Sequence, residues 1–259
     1  PNEDRITQEP VRQSNNPVAK LSFGKLQLHE FGEEIPIVVL IPNGKPSDDF
    51  VLWIDGAGKS AVLNDDGSVA AELLPLLEAG HPLVCADLFG QGEMVRDGTP
   101  LDRNRTVENP REFAGYSFGY NDTLFSQRVH DVLTIIGAMA PDADSISVVG
   151  VHGAGPWVAS ACAVAGDQVT RLAVDTGGFR FRNLSDYRDP NFLPGALKYG
   201  DLPAILGLCA PRPLWLGGES AVPELTQQVY TASDAPTAIT RAESADHSSI
   251  VDWLIASGE

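Results

Sequence analysis

Basic residues are scarce in this chain of 259 residues. It has 18 Lys and Arg against 35 Asp and Glu, which gives a formal net charge of −17. Nucleic-acid-binding proteins neutralise phosphates with clustered Lys and Arg, and anionic membrane surfaces attract the same residues. We therefore predict neither a nucleic acid nor a membrane surface as a partner. The acidity is interpreted as a source of solubility.

Cysteines and long apolar runs are also few. The three cysteines, Cys85, Cys162 and Cys209, lie in apolar runs, and no CxxC or Cys/His spacing typical of a zinc site is present. We predict buried thiols and no cofactor, and we assign no residue as a metal ligand. No run approaches the ~18 apolar residues that a membrane-spanning helix requires.

The first 20 residues differ in amino-acid composition from the rest. Residues 1–20, PNEDRITQEPVRQSNNPVAK, are polar and contain three prolines and three asparagines. They are predicted to be a linker or an N-terminal arm, and such a start suggests that another segment precedes it. Residues 21–259 are predicted to form one folded domain.

Strand and helix patterns alternate through that domain. Apolar strands such as FVLWID, apolar on both faces, belong in a sheet that is covered on both sides. The alternation predicts an α/β fold: a mainly parallel sheet of eight strands with helices on both faces. Helices are predicted at 69–79, 123–139, 156–165 and 250–256. Two irregular stretches, 95–119 and 179–205, are the expected location of a substrate site.

One strand-to-helix turn carries the strongest functional signal. The stretch SVVGVHGAGPWVASACA has the pattern of a strand, a tight turn and a helix, with His152 at the apex. Gly150 and Ala154, two residues before and after, are small, as a strained apex requires. In α/β-hydrolases this turn presents the nucleophile, and an acid and then a histidine follow along the chain. Glu219 and His247 occur in that order.

These residues carry a family resemblance. The chain resembles the α/β-hydrolases, and more narrowly the acetyl xylan esterases and dienelactone-hydrolase-like carbohydrate esterases. The resembling segments include VLWIDGAGKSA, CADLFGQGE, FLPGALKYGDLPAILGLCAPRPLWL and DHSSIVDWL. The resemblance implies a carbohydrate or small-molecule ester as substrate, Glu219 as the acid and His247, in a loop ahead of the last helix, as the base. It favours a secreted or periplasmic location.

The departure from the family pattern is His152, which stands where the nucleophilic serine is expected. The expected oxyanion hole consists of the N–H of Gly153 and the turn after the third strand at Gly56 and Ala57. No substrate-binding residue is assigned.

Three interpretations remain open. The first is an esterase with a degenerate triad of His152, Glu219 and His247. The second is a catalytically inactive hydrolase-like module that binds or scaffolds, for example beside an active domain of a longer polypeptide. The third is a metal-assisted hydrolase in which the same two histidines and Glu219 hold a divalent ion.

Overall fold

The computed structural model describes residues 6–29, 32–105, 109, 113–243 and 246–256. These residues form nine strands, the seven α-helices given below and several short 3-10 helices. The strands are β1 (Ile6–Asn15), β2 (Ala19–Leu28), β3 (Glu33–Pro42), β4 (Asp49–Asp55), β5 (Leu83–Ala86), β6 (Ser145–Val151), β7 (Arg171–Asp175), β8 (Leu214–Gly217) and β9 (Ile239–Arg241).

Four of the helices lie at predicted positions, whereas the three at 114–118, 201–207 and 224–232 were not predicted. They are α1 (Leu74–Glu78), α2 (Ala114–Phe118), α3 (Leu124–Met139), α4 (Gly155–Val164), α5 (Asp201–Gly207), α6 (Glu224–Ala232) and α7 (His247–Ala256). The helix predicted at 123–139 is α3, and Thr123 caps it because its hydroxyl accepts a hydrogen bond from the N–H of Ser126. Within the described ranges, no helix combines the length and the apolar character that crossing a membrane would take.

All nine strands belong to one sheet, in the order β1-β2-β3-β5-β4-β6-β7-β8-β9. The pairings from β5 through β9 are parallel, whereas β1, β2 and β3 pair antiparallel with their neighbours. The prediction of a mainly parallel sheet is confirmed, but the number of strands is nine and not eight. The extra strand is β1, which lies in the polar segment 1–20 and pairs along its length with β2.

The sheet has an apolar core on each face. In β4, Leu52 and Ile54 point into the core that contains α3 and α4, while Val51 and Trp53 point into the core that contains α1 and α7. This alternation follows from the two-residue period of a strand. It confirms the expected helices on both faces and explains why β4 is apolar throughout.

The three cysteines are free and buried, as predicted. Cys85 belongs to one core, whereas Cys162 and Cys209 belong to the other. Burial raises the pKa of Cys209 to about 12 and that of the other two thiols in the same direction. These thiols are therefore inert as nucleophiles near neutral pH.

Candidate active site

His152 lies directly after the last residue of β6, in the turn that leads to α4. Its φ is 51°, in the left-handed region that non-glycine residues rarely adopt. Gly150 makes the turn possible, because a Cβ there would lie 2.8 Å from a side-chain carbon of Val158 in α4. The strained backbone conformation is therefore at His152, whose side chain is 59% exposed at the sheet edge.

Asp55 binds the imidazole of His152. β4 and β6 pair in parallel with Asp55 opposite Val151, which places the carboxylate beside the turn. The Oδ2 of Asp55 lies 2.7 Å from Nδ1 of His152, and its Oδ1 accepts a hydrogen bond from the N–H of Ala57. Because a carboxylate only accepts hydrogen bonds, Nδ1 donates, and Nε2 is left with the lone pair.

His247 completes the group at this edge. Its ring centroid lies 4.9 Å from that of His152 and 5.1 Å from that of Trp53, which it meets edge to face. Its Nδ1 is 3.5 Å from a carboxylate oxygen of Glu72. Its Nε2 is buried and has no hydrogen-bond partner among the residues that the structure describes. His247 is the first residue of α7 and not part of a loop, so the helix was predicted to begin three residues too late.

Glu219 has different partners. Its carboxylate accepts hydrogen bonds from both terminal nitrogens of Arg180, each at 2.7 Å, and from the hydroxyl of Thr176 at 2.6 Å. Only 8% of its side chain is exposed. In the part of the chain that the structure describes, no hydrogen bond or ion pair joins Glu219 to His152 or His247. The structure thus brings the two histidines together with Asp55.

Solved structures share this architecture. A candidate acetyl xylan esterase from Bacteroides fragilis is 16% identical with a TM-score of 0.65, and the match covers 91% of this chain and 69% of that protein. A methylesterase is 18% identical with a TM-score of 0.66, over 96% and 57% of the two chains. A candidate dienelactone hydrolase from Klebsiella pneumoniae is 14% identical with a TM-score of 0.52, over 90% of each chain.

The chain has the α/β-hydrolase fold. The predicted resemblance is therefore confirmed at the level of the fold. The chain spans just over half the length of the methylesterase that it matches. Neither a protein-family model nor a curated protein sequence matches it.

In this α/β-hydrolase fold, the turn after β4 is pressed against the turn after β6. A Cβ on Gly56 would lie 1.9 Å from the carbonyl oxygen of His152, so only glycine fits there. The N–H of Gly56 donates to the carbonyl of Val151, and that of Ala57 donates to Asp55. The N–H groups of Gly56 and Ala57, two of the three predicted oxyanion donors, are thus engaged within the protein. Among the described residues, the N–H of Gly153 has no such partner.

The sequence also contains a G-x-S-x-G pattern from Gly115 to Gly119, which the strand–turn–helix argument does not select. In the structure Ser117 lies inside α2 and not at a strand-to-helix turn, and it is 2% exposed. An α/β-hydrolase nucleophile stands at an exposed strand-to-helix turn. Ser117 therefore does not replace the missing serine.

The aromatic residues of the irregular stretches differ in burial. Phe118 packs against Tyr187 and Phe192, with ring centroids 6.3 Å and 5.4 Å away, and all three are half-buried. Phe181 is buried in the core that contains α3 and α4, and Phe179 packs against it. Tyr120 and Tyr199 are exposed. The stretch 179–205 leaves His152 open to solvent, since more than half of that side chain is accessible.

Sequence reasoning missed Asp55 as a partner of His152. The signal was present, because an acidic residue ends an apolar strand and precedes a glycine-rich turn in FVLWIDGAG. We assigned that turn to the oxyanion hole through its backbone. The parallel pairing of β4 with β6 instead brings the side chain of Asp55 to the imidazole of His152.

Proposed function

We propose that the chain is a carboxylic-ester hydrolase that acts on esters carried by carbohydrates, with His152 and Asp55 in place of a serine nucleophile. The observation that carries the proposal is the 2.7 Å contact between Asp55 Oδ2 and Nδ1 of a solvent-accessible imidazole. Substrate class is inferred from the fold neighbours named acetyl xylan esterase and methylesterase.

His152 acts as a general base in this proposal. Its Nε2 takes a proton from a water molecule, whose oxygen attacks the acyl carbon of the ester. Asp55 holds the ring in the required tautomer and stabilises the imidazolium that forms. The imidazolium then returns its proton to the departing alkoxide, so that the products are an alcohol and a carboxylic acid.

Gly153 supplies the oxyanion donor. Its N–H directly follows the apex and is unpaired within the described residues, so it supports stabilisation of the negative charge on the acyl oxygen. With general-base help of typically 10²–10⁴-fold and no covalent intermediate, turnover should be slower than in a serine esterase.

The test is hydrolysis of p-nitrophenyl acetate and of acetylated xylan by the purified chain. We expect activity that His152→Ala reduces by roughly 10²-fold or more, as removal of a general base does. His130→Ala is the matched control, because His130 also lies beside a carboxylate, 3.4 Å from Glu33, on the distant helix α3. Equal rates for the wild-type chain and His152→Ala would reject the proposal.

A second candidate is a module that binds acylated carbohydrate without hydrolysing it. The contacts of Glu219 favour it, because Arg180 and Thr176 occupy the carboxylate that a serine triad would use. Saturable binding of acetylated xylan by a wild-type chain that has no esterase activity would support this candidate. Activity gained on His152→Ser would show that the rest of the site is competent for serine chemistry.

A further inference from the structure

Three metal-ligating side chains converge at the carboxyl edge of β4 and β6. Asp55, His152 and His247 each offer one ligand atom, and these three atoms all lie within 4.8 Å of one another. Two imidazoles and one carboxylate form a ligand set of the kind that catalytic zinc sites use, with room for a further ligand.

The surroundings of His247 suit a metal ligand. Its Nε2 is buried and, within the described part of the chain, has no hydrogen-bond partner, which is costly for a polar nitrogen unless something binds there. Its other nitrogen, Nδ1, faces the carboxylate of Glu72 at 3.5 Å. A carboxylate on the far nitrogen of a histidine fixes the tautomer that leaves Nε2 free to ligate, and it increases the basicity of the ligand.

The two other ligands differ in how firmly they are held. Asp55 is 2% exposed, and the N–H of Ala57 fixes one of its oxygens. His152 has an exposed ring on a rigid turn, so the site has an open side toward solvent. Ligand atoms about 2.1 Å from a tetrahedral zinc lie roughly 3.5 Å apart. Atoms of this group that are separated by up to 4.8 Å therefore have to move closer when the ion binds.

We propose that Asp55, His152 and His247 form a site for a divalent transition-metal ion of the zinc class. In this proposed site the carboxylate ligand is Asp55 and not Glu219, which the sequence suggested. The inference does not depend on ester hydrolysis. If both proposals hold, the metal competes for the imidazole that acts as the base, so zinc inhibits the esterase.

The test is a calorimetric titration of tag-free, chelator-treated protein with zinc chloride. We expect saturable binding of one ion per chain with a Kd on the order of micromolar or tighter. His152→Ala should weaken binding at least 100-fold and, since this side chain is exposed, should leave the fold intact. Glu72→Gln, which alters only the group behind His247, should weaken binding about 10-fold.

Cobalt provides a second readout that needs no substrate. Co²⁺ bound by two imidazoles and a carboxylate in a four-coordinate site absorbs visible light strongly, whereas hydrated Co²⁺ does not. We expect this absorption for the wild-type chain and for the control His130→Ala, and its loss in His152→Ala. Absence of saturable zinc binding by the wild-type chain, or unchanged affinity in His152→Ala, would overturn the proposal. Neither result determines the outcome of the esterase assay, so the two proposals are tested separately.

Discussion

Asp55 ends β4 and Glu219 lies two residues after β8, so both stand at the carboxyl ends of parallel strands, yet their partners differ in exposure. Asp55 binds the imidazole of His152, of which 59% is accessible, whereas Glu219 binds the guanidinium of Arg180, of which 19% is accessible. A carboxylate that binds an exposed group can change how that group binds or reacts with a molecule from solution. A carboxylate whose partner is buried mainly stabilises the fold around it.

Removal of Arg180 should have the largest effect on stability. Arg180→Ala leaves the carboxylate of Glu219 buried without its cation, which costs about 3–5 kcal/mol in free energy of unfolding. Urea denaturation measures this loss. The double variant Arg180→Met with Glu219→Met should recover most of it, because a buried ion pair replaced by apolar groups is often near neutral. A loss below about 1 kcal/mol in the single variant would mean that the two carboxylates do not differ in this way.

Asp55→Asn should damage function more than stability. The amide oxygen still accepts from Ala57, but the tautomer of His152 is no longer fixed. We expect kcat for p-nitrophenyl acetate to fall roughly 10²–10⁴-fold, with a change of less than about 1 kcal/mol in the free energy of unfolding, as for pairs with an exposed partner. Asp175→Asn, at the end of β7, is the matched control and should keep its activity.

A third carboxylate, Asp131, differs from these two because the charge of Arg128 does not offset the effect of burial on its pKa. Burial raises the pKa of Asp131 to about 7, although the N–H of Phe89 and the charge of Arg128 act in the opposite direction. The unfolded chain releases this proton near pH 4, so the native state holds the extra proton between about pH 4 and 7. Stability from this group therefore decreases as pH rises through that window and is constant above it.

Asp131→Asn removes this pH dependence. Relative to the wild-type chain, the variant should gain about 1–4 kcal/mol in free energy of unfolding between pH 4 and pH 8, at about 1.4 kcal/mol per unit of pKa shift. Thermal and urea denaturation across that range measures the gain. Parallel stability profiles for the two proteins would show that Asp131 titrates normally in the folded state.

The sequence predicted the other eight strands, but not β1, the helices α2, α5 and α6, or the partners of the site residues. The small residues Gly150 and Ala154 identify the turn at His152, because steric limits there are local. Strand order is not local: only the parallel pairing of β4 with β6 brings Asp55 to the turn. The partner of Glu219 comes from the loop after β7, whose path depends on tertiary packing. The start of α7 was missed because Asp246, whose carboxylate accepts from the N–H of Ser249, was not taken as the residue that begins a helix.

Gly56 packs closely against the carbonyl of His152. This contact separates the backbone shape of the turn from the identity of its side chain, two properties that are usually linked in evolution. Main-chain contacts fix the shape of this turn, so the side chain at position 152 can change without a change in the backbone. A substitution at position 152 should therefore leave the main-chain geometry of both turns in place.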